Sequence, residues 1–279
     1  SGVKKDRGVA MRVQSSLKLA DLASATMTYS RQDADYHRLQ ERLSSSTNNA
    51  EDLTFSGRLD LHRFLPKSWG FALPLNASVS KSVDRPKYFP GEDIMVGENS
   101  TPDSIISESE SMSLGVSLSK TNKSDNKLVK YTIDQLQGKF NAAKSQSSDI
   151  TYLDKQSETY SGNIGYNIPF GRDNYIRPFK WMEKTPIIGE KISDFQLYYT
   201  PSSFKTNMSF SEKLSWNETR RGVRSDDAYS FGLDRTMNLD YKLTNSLSTK
   251  YGWTGKSKLN DYRGYIYSAV KALDPGDVT

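Results

Sequence analysis

The chain has no cysteine, only two histidines, and no apolar run near the ~20 residues that a membrane-crossing helix needs. Each absence removes a class. Without cysteine there is neither a disulfide framework nor a thiolate metal site. His37 and His62 stand far apart in sequence, without HExxH spacing or paired carboxylates, so no metal site is expected. Lys and Arg number 38 against 33 acidic residues, a net charge of +5, but they are scattered singly. A nucleic-acid binder gathers its positive charge on one face, so no nucleic acid is expected as a partner. There is no glycine-rich phosphate loop and no GxSxG elbow. Glu108, Glu110, Asp226 and Asp227 lie in polar surroundings and read as solvated carboxylates. The expectation is a non-enzyme with no catalytic residue, no metal and no cofactor. The first residues, Ser-Gly-Val-Lys-Lys, carry no apolar signal core, as expected of a processed or internal piece.

With 35% hydrophobic residues and a mean hydropathy of −0.69, the composition alone suggests a polar, soluble chain. It does not exclude a β-barrel, whose strands cross in ~9–11 residues with every second one polar. What is present is alternation. Tyr (16) and Phe (11) lead the large apolar residues, with Ser, Thr and Asn between them. Period-two patterning predicts ten strands, near 7–19, 22–32, 52–63, 71–83, 111–121, 133–146, 156–168, 203–219, 229–243 and 246–257. In the third, Leu53, Phe55, Leu59 and Leu61 oppose Thr54, Ser56, Arg58, Asp60 and His62. In the fourth, Phe71, Leu73, Leu75, Ala77 and Val79 share a side, and Pro74 interrupts the other, as at an edge or a bulge.

The connections carry a second signal. Long loops near 32–51 and 83–110 alternate with tight turns near 20, 65 and 245, and a long insertion spans about 169–193. Alternating short and long connections are expected of an up-and-down meander whose two ends face different compartments. A soluble sandwich has no such parity. The insertion carries Phe179, Trp181, Met182, Ile187 and Ile188, expected to form a short element against a barrel mouth. The fold class expected is all-β: an antiparallel up-and-down meander of about ten long strands over residues 1–279, one segment of a large transmembrane β-barrel.

The stretch FLPKSWGFALPLNASVSKSVDRPKYFPGEDI is similar to a segment of the SprA/Sov family, the outer-membrane translocon of type IX secretion. The residues that carry the likeness are Leu65, Pro66, Trp69, Gly70, Leu73, Pro74, Ser80, Ser82, Pro86, Tyr88 and Pro90. Gly91-Glu92-Asp93 stands where that family usually has Asp. The segments FQLYYTPSSFKTNMSFSEKLSWNETR and YSFGLDRTMNLDYKLTNSLSTKYGW resemble it more loosely. The family's proteins are several times longer, so the resemblance implies a fragment. It further implies a very large barrel in the cell outer membrane, conducting folded cargo proteins that bear a C-terminal sorting domain. A PorV-type partner barrel, a periplasmic plug protein and the lipid bilayer are its implied partners.

A closed barrel of eight to ten strands fills its interior with side chains, so translocation requires a larger ring. In such a ring Arg12, Arg58, Asp60, Ser78, Ser80, Asn163, Lys205, Lys213, Asp234 and Asp240 are the candidate lumen-facing residues. Two residues break the apolar pattern, Glu212 between Phe210 and Leu214, and Arg235 between Leu233 and Met237. A loop centred near residue 224 would set them opposite each other, as a cross-strand ion pair. Alternatives are another outer-membrane barrel, of TonB-dependent receptor or lipopolysaccharide-assembly type, and a secreted surface β-protein or adhesin.

Overall fold

A computed structural model of the chain describes residues 8–36, 48–97, 101–122, 124–171, 174–184 and 193–262. Its strands are β1 (Ala10–Leu19), β2 (Ala23–Gln32), β3 (Asn48–Asp60), β4 (Phe71–Ala72), β5 (Pro74–Pro86), β6 (Ser107–Lys120) and β7 (Leu136–Ser148). They continue with β8 (Tyr152–Pro169), β9 (Tyr175–Ile176), β10 (Leu197–Tyr198), β11 (Ser203–Thr219), β12 (Ala228–Lys242) and β13 (Ser248–Lys258). The ten long strands lie in one sheet in the order β1-β2-β3-β5-β6-β7-β8-β11-β12-β13, each antiparallel to its neighbours. The expected meander is there. Among the described residues β1 and β13 each pair on one side only, so the sheet is open and closure into a barrel is not seen.

Pro74 finds its place in this register. Phe71 faces Lys120 and Leu75 faces Val116, so β4 and β5 run in one register along β6. The Leu73 carbonyl accepts from the Leu61 N–H on the β3 side, which turns the Pro74 nitrogen toward β6. With no N–H to donate, that ladder breaks there, and the strand is divided into β4 and β5.

The strand order puts successive connections at opposite ends of the sheet. Those at 33–47, 87–106, 149–151 and 220–227 share one end, and those at 20–22, 61–73, 121–135, 170–202 and 243–247 the other. The sides are as the sequence predicts, but the lengths do not keep parity. The β7–β8 turn is only 149–151, although about ten residues were expected. Asp149 closes it by accepting from the N–H groups of Thr151 and Tyr152 at 2.8 Å each, while Lys155 Nζ lies 2.7 Å from its other oxygen. A Lys144–Glu158 bridge at 2.9 Å carries the ladder through polar residues. At the other end, 121–135 holds a helix, α1 (Lys127–Tyr131), where a turn was expected. The insertion extends to Ser202 and contains the two-residue pair β9–β10. Of its expected apolar element, Trp181 is well exposed, and Ile187 and Ile188 lie outside the described residues. Leu61 and His62 leave the third strand for a 3-10 turn, Leu61–Phe64.

The sheet has almost no core. Among the described residues only Ala34, Val83, Leu233 and Leu259 are buried apolar residues. The chain exposes 20328 Å², against about 12,000 Å² for a compact monomer of its mass. A single layer cannot bury its apolar side, and this one does not.

Candidate functional site: the two faces of the sheet

Register decides what each face is made of. Starting from Val13, the ladder joins Tyr29, Leu53 and Lys81. From Leu19 it joins Ala23, Leu59, Leu75, Val116, Phe140, Gly162, Phe210 and Leu233. The apolar residues of the ten predicted segments therefore fall on one continuous face. Leu53, Phe55, Met112 and Leu114 are exposed, and Leu59, Leu61, Phe71, Leu73, Leu75 and Val116 are half-buried. None is enclosed by a second sheet. Phe210 settles its ring over Gly162, where a Cβ would stand 2.6 Å from Cε1, and it meets the Phe140 ring at 6.3 Å.

Charge enters this apolar face along an oblique line. Seen from the 149–151 end, the innermost charged residues are Arg31 on β2, Glu51 on β3, Lys81 on β5 and Glu110 on β6. Lys144 on β7, Glu158 on β8 and Glu212 on β11 continue the line. Arg31 faces Glu51, Lys81 faces Glu110, and Lys144 faces Glu158, so opposite charges meet across the ladder. Arg85 adds a contact to Glu51 at 3.3 Å. The line moves inward by six residues over the six steps from β2 to β11. One residue per strand, ~3.3 Å along for ~4.8 Å across, is a slope of roughly 35° to the ladder.

The opposite face is polar, and all ten candidate lumen residues share it: Arg12, Arg58, Asp60, Ser78, Ser80, Asn163, Lys205, Lys213, Asp234 and Asp240. Reading the strands singly misses how this face is organised, because the order appears only when they are laid side by side. Thr28, Thr54, Ser80, Ser111, Ser145, Ser157 and Ser215 form one row across seven adjacent strands. The next row holds Ser16, Thr26, Ser56, Ser78 and Ser113. Their hydroxyls pair with one another, Ser78 with Ser113 and Ser80 with Ser111 at 2.7 Å each. Ser82 donates to Asp52 at 2.7 Å, and Arg58 donates to Asp60 at 3.0 Å. A cleft of about 440 Å³ on this face is lined by Ser56, Arg58, Asn76, Ser78, Ser113, Lys139 and Asn141, among others.

The expected Glu212–Arg235 ion pair does not form. Both residues lie on the apolar face, but Glu212 faces Phe231 and Arg235 faces Met208, four residues out of register. The cause is the hairpin tip. β11 runs on to Thr219, whose N–H donates to the Val223 carbonyl, and Gly222 takes φ 76°, so the turn centres near 221 instead of 224. Glu212 accepts from the Tyr229 hydroxyl at 2.8 Å. Arg235 donates to Ser257 at 3.0 Å.

Residues 1–98 match SprA_N, a family described as motility related/secretion protein. The match covers about a third of the chain, so it suggests a distant relation. It takes in β1 to β5 and the Pro86-x-Tyr88-x-Pro90 motif, whose residues frame a cleft of about 610 Å³ with Ile105 and Ile150. No curated protein matches the chain. Together with the strand-rich, two-faced sheet, the match is consistent with part of an outer-membrane β-sheet protein.

Proposed function

We propose that this sheet is part of the wall of an outer-membrane barrel that conducts proteins, its apolar face against lipid and its polar face lining the conduit. The observation that carries the reading is the oblique charged line. In a barrel whose strands tilt 35–45°, a lipid belt of constant height must cross the ladder at the tilt angle. The roughly 35° slope meets that condition, and a sheet packed on a protein core has no reason to. On β8 the belt from Tyr160 to Ile168 is free of charge. It runs about 27 Å along the strand and, at that tilt, about 22 Å in height, against ~25 Å for an outer-membrane belt.

The polar face suits passage. The hydroxyl rows carry no charge and offer little apolar surface, and the charges on this face are of both signs, so no single apolar or like-charged patch is offered to a moving polypeptide. Among the described residues β1 and β13 each keep a free edge, so in this reading strands other than these ten complete the ring. Such a ring has room for an aqueous channel. The partial match to a motility and secretion family supports secreted proteins as the traffic. The fuller resemblance points to type IX secretion, with cargo bearing a C-terminal sorting domain, a PorV-type partner barrel and a periplasmic plug. No catalytic step and no cofactor enter this reading.

The test is a photo-crosslinking side chain at Ser80 or Ser111, in cells expressing a cargo that stalls during export. Adducts to cargo are expected from both positions, and lipid adducts from Met112 and Leu114. Cargo adducts from Met112 but not from Ser80 would reverse the faces and overturn the proposal.

A further inference from the structure

The connection of residues 121–135 folds to the apolar side of the sheet. Lys120 ends β6 on that face and pairs with Asp134, in the 3-10 turn before β7. Their side chains are 7% and 1% exposed. Tyr166, on the same face of β8, donates its hydroxyl to the Tyr131 carbonyl, and Phe170 stacks on Tyr131 with centroids 6.4 Å apart. The segment thus continues the apolar belt beyond its edge.

Three large apolar side chains stand exposed on it, beside the polar Asn126, Lys130 and Thr132. Leu128 is 77% exposed, and Tyr131 and Ile133 are exposed beside it. Backbone polarity is dealt with locally: Asn126 Oδ1 accepts from the Leu128 N–H at 2.9 Å, and the Thr132 hydroxyl donates to the Leu128 carbonyl at 2.6 Å. A turn with capped ends, a concealed charge pair and outward apolar side chains is poorly matched to water. It is well matched to the boundary between headgroups and acyl chains. Tyrosine favours that depth, and Lys130 is long enough to keep its ammonium among the headgroups.

We propose that residues 126–133 form an interfacial anchor, with Leu128, Tyr131 and Ile133 inserted at the headgroup–acyl boundary of the bilayer. This rests on the apolar face being the lipid face. The experiment places a nitroxide, through an encoded side chain, at Leu128, Leu114 or Ser80 of the intact protein in phospholipid bilayers. Collisions with dissolved oxygen and with a water-soluble nickel chelate then give each label's depth. Leu114 is expected deep in the acyl region, Leu128 shallow but shielded from nickel, and Ser80 open to nickel. A Leu128 label as open to nickel as Ser80, with Leu114 still deep, overturns the anchor and leaves the belt standing. A Leu114 label shielded from oxygen, or open to nickel, overturns the belt and the anchor with it.

Discussion

Arg235 shows how one residue reports on its surroundings. It lies two ladder rows inside the charged line, with an Nε buried and lacking a hydrogen-bond partner. An arginine at mid-depth on a lipid face costs about 2–4 kcal/mol. Arg235→Met is therefore expected to raise the stability of the bilayer-inserted protein, by about 1–2 kcal/mol once the lost Ser257 bond is counted. Urea unfolding from vesicles measures it, and a clear loss of stability would mean that a protein partner covers this spot. Asp134 responds to pH. Burial raises its pKa, but hydrogen bonds from Lys120 and from Ser124 outweigh that and hold its carboxyl below the usual carboxylate range. Its stabilisation is full above the unfolded value of about 3.9 and is lost as pH falls through the lower folded value. Asp134→Asn removes it at neutral pH, so the gap in melting temperature between the two proteins should narrow below about pH 4.

At the scale of elements, the β7–β8 turn depends on one side chain. Asp149→Ala removes the acceptor of two backbone N–H groups and is expected to cost about 1–2 kcal/mol, measured by the same unfolding assay. Lys155 holds the Asp149 carboxyl below its usual range, so this loss too should shrink in acid. The existence of the strands was legible in the sequence, because ten runs of alternation have no helical reading and register later put their apolar sides together. The ends were not. Ser147 and Ser148 lie beyond the predicted strand and Tyr152 to Lys155 before the next one, and only the pairing of Ser147 with Lys155 shows that the ladder runs on there. Register at the β11–β12 hairpin was equally hidden, since it depends on which glycine-bearing tripeptide turns, and a shift of the tip by three residues separates Glu212 from Arg235. The candidate lumen residues were legible one by one from parity. The hydroxyl rows were not, because a row exists only across strands far apart in sequence.

At the scale of the molecule, the oblique relation between ladder and belt governs the polar side as well. Rows such as Thr28 to Ser215 follow the ladder, and in the proposed orientation the ladder is inclined to the membrane plane by the same roughly 35°. A row crossing seven strands spans about 29 Å and climbs roughly 17 Å. Around the conduit the hydroxyl rows would wind as a screw thread instead of stacking as rings. Arg12, Asp52 and Lys155 belong to a single row through Ser30, Ser82, Ser109 and Ser147, yet they would sit at three different heights. A passenger travelling along the axis meets these three charges in turn, at successive levels and on different strands.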